Sequence, residues 1–222
     1  MSVPSATPLL PFSPEAIVYR TCSGMPGSIQ HTPYMQYGAT SAIVSSTTET
    51  TLFNNSSTTA KGSLTFPAGY FNWNNGYDPA GLAPNSTAPG KLVRVKLLGS
   101  IGNTGTPTLR IKVKLTNSAG TVTTLVDSTA LTMSTITTGL FELNADFVVA
   151  AYSATAGIIN CGGLMMYTTA TSGALLGLIL PSTSTTSFDT TTSYTLDVTA
   201  QWGTSSASNT ITATSAFIEV MN

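Results

Sequence analysis

From residue 107 to 116 the chain alternates without a break, with Leu109, Ile111, Val113 and Leu115 on one side and Arg110, Lys112 and Lys114 on the other. A period of two marks a half-buried β-strand, because successive side chains of a pleated strand point to opposite faces. The same pattern runs through 91–101, where Val93, Val95 and Leu97 oppose Arg94 and Lys96. It returns in 140–152, with Phe141, Leu143, Ala145, Phe147 and Val149 against Glu142 and Asp146. In 193–202, Leu196, Val198, Ala200 and Trp202 share a face, which predicts that Trp202 caps the core at a strand end. Further strands are predicted at 41–53, 62–70 and 121–126. The stretch 157–169 is apolar on both faces, and its Gly162-Gly163 pair predicts a bulge or a close backbone approach. The last strand, 210–221, sets Ile211 and Phe217 on one face and Ile218 and Val220 on the other. Gly- and Ser-rich turns punctuate these runs and helical periodicity never appears, so the body is all-β, a sandwich or a barrel.

Residues 1–38 follow no such pattern. Six of the twelve prolines lie there, at Pro4, Pro8, Pro11, Pro14, Pro26 and Pro33. The segment reads as an extended N-terminal arm ahead of a body at 39–222. Proline restricts the backbone beforehand, so such an arm loses less entropy when laid on a partner. Leu9, Leu10, Phe12, Ile17, Val18 and Tyr19 are its candidate anchors.

Composition narrows the partners. Only 8% of residues are charged, while 40 Thr and 26 Ser occupy a chain of 222, a composition suited to exposed strand faces and hydrogen-bonded turns. A formal net charge of −1 provides no field to recruit nucleic acid or an anionic membrane. No stretch reaches the ~18–20 uninterrupted apolar residues of a membrane helix. Cys22 and Cys161 are too few for a disulfide framework; two buried thiols are the first reading and one disulfide from arm to core the second. No targeting signal is read at the N-terminus, and synthesis in a reducing cytoplasm is expected.

Candidate chemistry is sparse. The one histidine, His31, lies in the arm without a nucleophile or carboxylate in a recognisable arrangement. No phosphate loop, nucleophile elbow or zinc spacing occurs, so no catalytic, metal or cofactor residues are assigned and no enzyme is expected. Five of eight basic residues (Arg94, Lys96, Arg110, Lys112 and Lys114) sit on outward faces of two strands. Neutralisation by Glu142, Asp146, Asp197 and Glu219 on neighbouring strands, at ~0.2–1 kcal/mol per pair, is preferred over a polyanion site. The most distinctive local feature is 66–90, where Phe66, Tyr70, Phe71, Trp73 and Tyr77 crowd among Asn, Gly and Pro. Such aromatics anchor protein interfaces. Packing within the domain is the second reading, and stacking on a glycan the third.

The stretches "TTETTLF", "VRVKLLGSIGNTGTPTLRIKVKL" and "LDVTAQWGTSSASNTITATSAFIEV" together resemble a type of tailed-bacteriophage virion protein, over roughly residues 44–222. Jelly-roll capsid decoration (cement) proteins look like the nearest functional group. The resemblance implies a jelly-roll-like antiparallel β-sandwich of two four-stranded sheets, with 91–101 beside the strand of Asp197 and 107–116 beside the strand of Glu219. It also implies a structural protein on the capsid surface of a virion, bound to the major capsid protein. The arm and the aromatic segment, which lie outside the resemblance or depart from it, supply the candidate contacts: Leu9, Leu10, Phe12, Ile17, Tyr19, Tyr70, Phe71, Trp73 and Tyr77. The apolar faces of 157–169 and 210–221 predict a homo-oligomer, expected to be a trimer. The alternative is the receptor- or glycan-binding head of a tail or head fibre. A fibre head is expected to follow a shaft, and with 38 residues ahead of the body the expectation is cement.

Overall fold

The computed structural model describes residues 30–54, 56, 58–71, 91–151, 157–168, 174–181 and 185–221. Every regular element among them is a strand. In chain order these are β1 (Gln30–Gln36), β2 (Ile43–Val44), β3 (Thr50–Thr51), β4 (Ala60–Gly62), β5 (Thr65–Phe66), β6 (Leu92–Asn103), β7 (Thr108–Asn117) and β8 (Val122–Asp127). There follow β9 (Leu131–Thr132), β10 (Ile136–Ala151), β11 (Gly157–Thr168), β12 (Leu175–Leu180), β13 (Thr185–Phe188), β14 (Tyr194–Trp202) and β15 (Thr210–Met221). They form two antiparallel sheets. The larger has the order β12-β11-β10-β6-β15-β1-β4, with β13 on β11 and β2 on β15; the smaller has β3-β14-β7-β8, with β5 on β14 and β9 on β7.

The alternating residues decide how the sheets meet. Val93, Val95, Leu97, Leu143, Phe147, Ile218 and Val220 of the large sheet and Leu109, Ile111, Val113, Leu115, Leu196, Val198 and Trp202 of the small one are buried in a single core, which makes the fold a β-sandwich. At roughly 1.5–3 kcal/mol for each large apolar side chain removed from water, this shared core is the main term holding the sheets together. Trp202 is fully buried at the end of β14, as its place in the alternation predicts. Gly99 lets three strands close up: a Cβ there would lie 2.0 Å from the Thr212 carbonyl oxygen and against the Phe141 ring.

Several expectations are corrected. The predicted strands 41–53 and 62–70 are crossings between sheets. Each starts in the large sheet (β2, β4) and resumes in the small one (β3, β5), and the breaks carry left-handed residues, Ser45 (φ 59) and Gly62 (φ 93). Gly62 is required twice over, since a Cβ would also meet the Pro33 carbonyl oxygen at 2.0 Å. Residues 30–36, read as arm, form β1 between β15 and β4. Pro33 is tolerated because the register with β15 shifts between His31 and Tyr34, where no ladder bond from its nitrogen is needed. Gln36 is buried, donates to the Ala213 carbonyl at 3.1 Å and accepts from the Asn54 amide at 2.9 Å, binding β1 to the body.

In β15 the register with β6 shifts between Ala213 and Ser215, a bulge at Thr214 that reverses the side-chain phase. Ile211 and Ala213 before it and Ala216, Ile218 and Val220 after it therefore enter the same core. Ile211, Ile218 and Val220 therefore share one face, and of the four predicted residues Phe217 alone lies on the outer face, half-buried, so the second apolar face of this strand shrinks to a single ring. Thr40 satisfies the bulge by donating its amide to the Ala213 carbonyl at 2.9 Å and accepting the Ala213 amide on Oγ1 at 3.2 Å. Of the two readings of Gly162-Gly163 the bulge fails, since pairing with β10 runs through unbroken, and the close backbone approach holds at Gly163, where a Cβ would lie 3.2 Å from the Asn144 carbonyl oxygen.

The expected strand neighbours are exchanged: β6 lies beside β15 and β7 beside β14, in sheets of nine and six strands. The turns after β6 and after β14 both carry the chain from one sheet to the other. Once both pairs are split between sheets, either pairing satisfies the alternation, so periodicity alone could not choose.

Candidate functional site

On the outer face of the small sheet, β7 presents Arg110, Lys112 and Lys114 in alternation. Its neighbours supply acids to each. Arg110 donates from Nε and Nη2 to the two carboxylate oxygens of Asp127 on β8, the first at 2.8 Å. Lys112 Nζ donates to Glu49 Oε2 at 2.7 Å and Lys114 Nζ to Glu49 Oε1. Thr199 Oγ1 donates to the same Oε1 at 2.9 Å. Burial pushes the Glu49 carboxyl up, but the hydrogen bonds from Lys112, Lys114 and Thr199 outweigh it and hold it at about 2. Asp197, opposite Lys114 in the ladder, is pushed up by burial, against the Thr51 hydroxyl and the Lys114 charge. Asp127 is held low, chiefly by Arg110.

The large sheet repeats the device on β6. Arg94 grips Asp146 of β10 through two hydrogen bonds, at 3.0 and 3.2 Å, and Lys96 pairs with Glu142 at 2.8 Å. Glu219 stands opposite Arg94 in the register with β15. All five outward basic residues thus meet acids on adjacent elements, the neutralised face that the sequence favours over a polyanion site. Glu49 and Asp127 were not anticipated as partners, because neither belongs to an alternating run that points to it.

Beyond β10 the same sheet changes character. From Phe147 to Phe188 the chain has no charged side chain, and this stretch contains β11, β12 and β13. The open edge is β12, Leu-Leu-Gly-Leu-Ile-Leu. On its outer face Ile179 is 83% and Leu175 62% exposed. Ile179 faces Leu164 of β11, and Leu175 faces Thr168. Leu176, whose parity belongs to the core side, is 39% exposed because no described strand lies beyond it. Leu140 on β10 extends the apolar surface. Apart from the length of "ALLGLIL", nothing local in the sequence singles β12 out; its exposure follows from its edge position.

The aromatic segment divides. Phe71 is buried and touches the rings of Phe66, Tyr70, Phe147, Phe188 and Tyr194 at centroid distances from 5.0 to 6.4 Å. Its assignment as a partner-binding residue is corrected: it plugs one end of the core. Tyr70 is half-buried on that cluster, with Lys91 Nζ 4.5 Å from its ring centroid. Leu9, Leu10, Phe12, Ile17 and Tyr19 of the arm, with Trp73 and Tyr77, lie outside the described residues, as does Cys22. The Cys161 thiol donates to the Leu125 carbonyl at 2.6 Å, linking β11 to β8. Among the described residues no three His, Cys, Asp or Glu side chains cluster so as to hold a metal ion.

Comparison with protein-family models and with curated proteins finds no match to this chain.

Proposed function

We propose that this chain is a non-enzymatic structural protein of a phage virion, a decoration or cement protein on the capsid surface that binds the major capsid protein and stabilises the head. One observation carries the reading beyond the resemblance of residues 44–222. Five outward bases are consumed in ion pairs within the sandwich, while no described strand covers an uncharged, apolar sheet edge. Surfaces of that kind are covered by protein rather than turned over by a substrate. The burial of Phe71 and Phe66 removes two rings both from the set available for stacking on sugar and from the set available to anchor a protein partner, so the aromatic segment does not separate the two readings.

The test is localisation on particles produced by the genome that encodes the chain, by electron microscopy with a labelled antibody. Label distributed over the capsid surface is expected. Label confined to a tail or fibre tip, or absent from particles, would overturn the reading. Binding of the purified chain to a glycan array would favour the fibre head.

A further inference from the structure

We propose that β12 is a self-association edge: two copies of the chain join their large sheets by antiparallel pairing of Leu175–Leu180 across a two-fold axis. The inference uses the same open edge as the virion reading but rests on the fold alone, and its failure, a monomer or a trimer in solution, leaves the localisation test of that reading standing.

An open strand edge carries unpaired backbone donors and acceptors, and proteins normally guard it with lysine, proline or a bulge. Within β12 there is none of these, and the nearest charged residues in sequence are Asp146 and Asp189. The opposite edge of the sheet is guarded. There β4 offers three residues, includes Lys61, and ends in left-handed Gly62. A ring built head to tail, β12 onto β4, would thus meet a short and charged edge, whereas β12 onto β12 is uncharged throughout.

Geometry makes the edge complementary to itself. A two-fold axis perpendicular to the sheet keeps its outer face outermost, so directly opposed residues share parity and the axis passes through a residue. Centred on Gly177, it sets Leu175 opposite Ile179 of the second copy and Leu176 opposite Leu178. Both exposed outer side chains then gain an apolar partner, and the incompletely covered Leu176 gains one on the core side. The exposed surface of Leu175, Leu176, Ile179 and Leu164 is on the order of 400 Å², about half of the ~800 Å² per partner in a stable interface. The backbone and flanking residues of the paired edges supply more. The axis gives a dimer, not the trimer expected from the sequence.

Gly177→Cys tests the geometry directly. A Cβ there meets only Leu164 Cδ1, at 3.9 Å, an ordinary contact, so the variant folds. At the axis the new thiol faces its own copy within disulfide reach. Mild oxidation of the full chain is expected to yield a covalent dimer from Gly177→Cys. Leu175→Cys, which opposes Ile179 and not itself, and the unsubstituted chain, whose native thiols serve as the control, are expected not to yield one. In sedimentation velocity at tens of micromolar the unsubstituted chain should be dimeric, and Leu175→Lys/Ile179→Lys should dissociate on the order of 100-fold more readily, with four lysines brought together. An unsubstituted chain that is monomeric or trimeric would overturn the proposal, the monomer leaving the edge to a strand from another protein. Equal cross-linking at 175 and 177, or none at 177, would also overturn it.

Discussion

The outer face of β7 and the outer edge at β12 stand on the same core and obey the same alternation, yet they treat solvent in opposite ways. Along β7 the three central outward positions, 110, 112 and 114, are bases, and β8, β14 and the segment around Glu49 bring acids to them. That face is complete within one chain. Along β12 each outward position is apolar or glycine, and no described strand lies beyond it. The difference teaches that inward residues define a sandwich, while outward residues decide which of its surfaces remain open for partners. A paired charge is satisfied where it stands, but exposed leucine is satisfied only by being covered.

The comparison presupposes one core beneath both surfaces, and the largest predicted effect tests that. Phe71→Ala removes the ring that joins Phe66, Phe147 and Phe188, and should lower unfolding free energy by about 3–5 kcal/mol in urea titration. A stability loss within ~0.5 kcal/mol would return Phe71 to the surface set.

Next comes the closed face. Glu49→Gln deprives Lys112 and Lys114 of their shared acceptor and should cost about 1–3 kcal/mol at neutral pH. The pH dependence has a definite sign. A folded value of about 2 against an ordinary 4.5 means the ionised group stabilises the fold above 4.5 and loses that contribution as pH falls toward 2. The contribution is at most on the order of 3 kcal/mol. Asp197, whose carboxyl is raised by burial, acts in the opposite sense and returns stability on acidification. Thermal melts should show the unsubstituted chain losing stability relative to Glu49→Gln over that acid range. Parallel curves would mean that Glu49 is not held by the two lysines.

Smaller again is Arg94→Gln. This pair is nearly half exposed on both sides, so its loss should lie within ~1 kcal/mol by chemical denaturation and shrink further in high salt. The smallest effect on the isolated fold belongs to the open edge. Leu175→Lys/Ile179→Lys exchanges exposed side chains and should move monomer stability by no more than ~0.5 kcal/mol, although association should weaken on the order of 100-fold. Denaturation of the variant at low concentration measures this, and a large loss would show that β12 is held by its own chain.

Legibility followed the strength of the local pattern. Strands with strict alternation, such as 107–116 and 193–202, were readable to within a residue or two, because one face of each is wholly buried. Phase was not readable in β15. The bulge at Thr214 has neither Gly nor Pro to announce it, and only the tertiary partners Thr40 and Gln36 reveal why it is stable. Pro33 misled in the other direction, reading as arm when it sits at a register shift inside β1. Ion-pair partners were half readable. Basic residues declared themselves by alternation, but Glu49 lies in a crossing between sheets, and its position depends on β14 lying beside β7. Of the proposed contact residues, Phe71 looked like its aromatic neighbours in composition, and only packing separates a core plug from an interface anchor.

The contrast between closed face and open edge is tested most directly by hydrogen–deuterium exchange of the full chain at low and high micromolar concentration. Amides of 175–180 are predicted to gain protection as concentration rises, while those of 108–127 remain unchanged. Protection at 175–180 that is independent of concentration, or concentration-dependent protection that appears over 108–127 instead, would contradict the account.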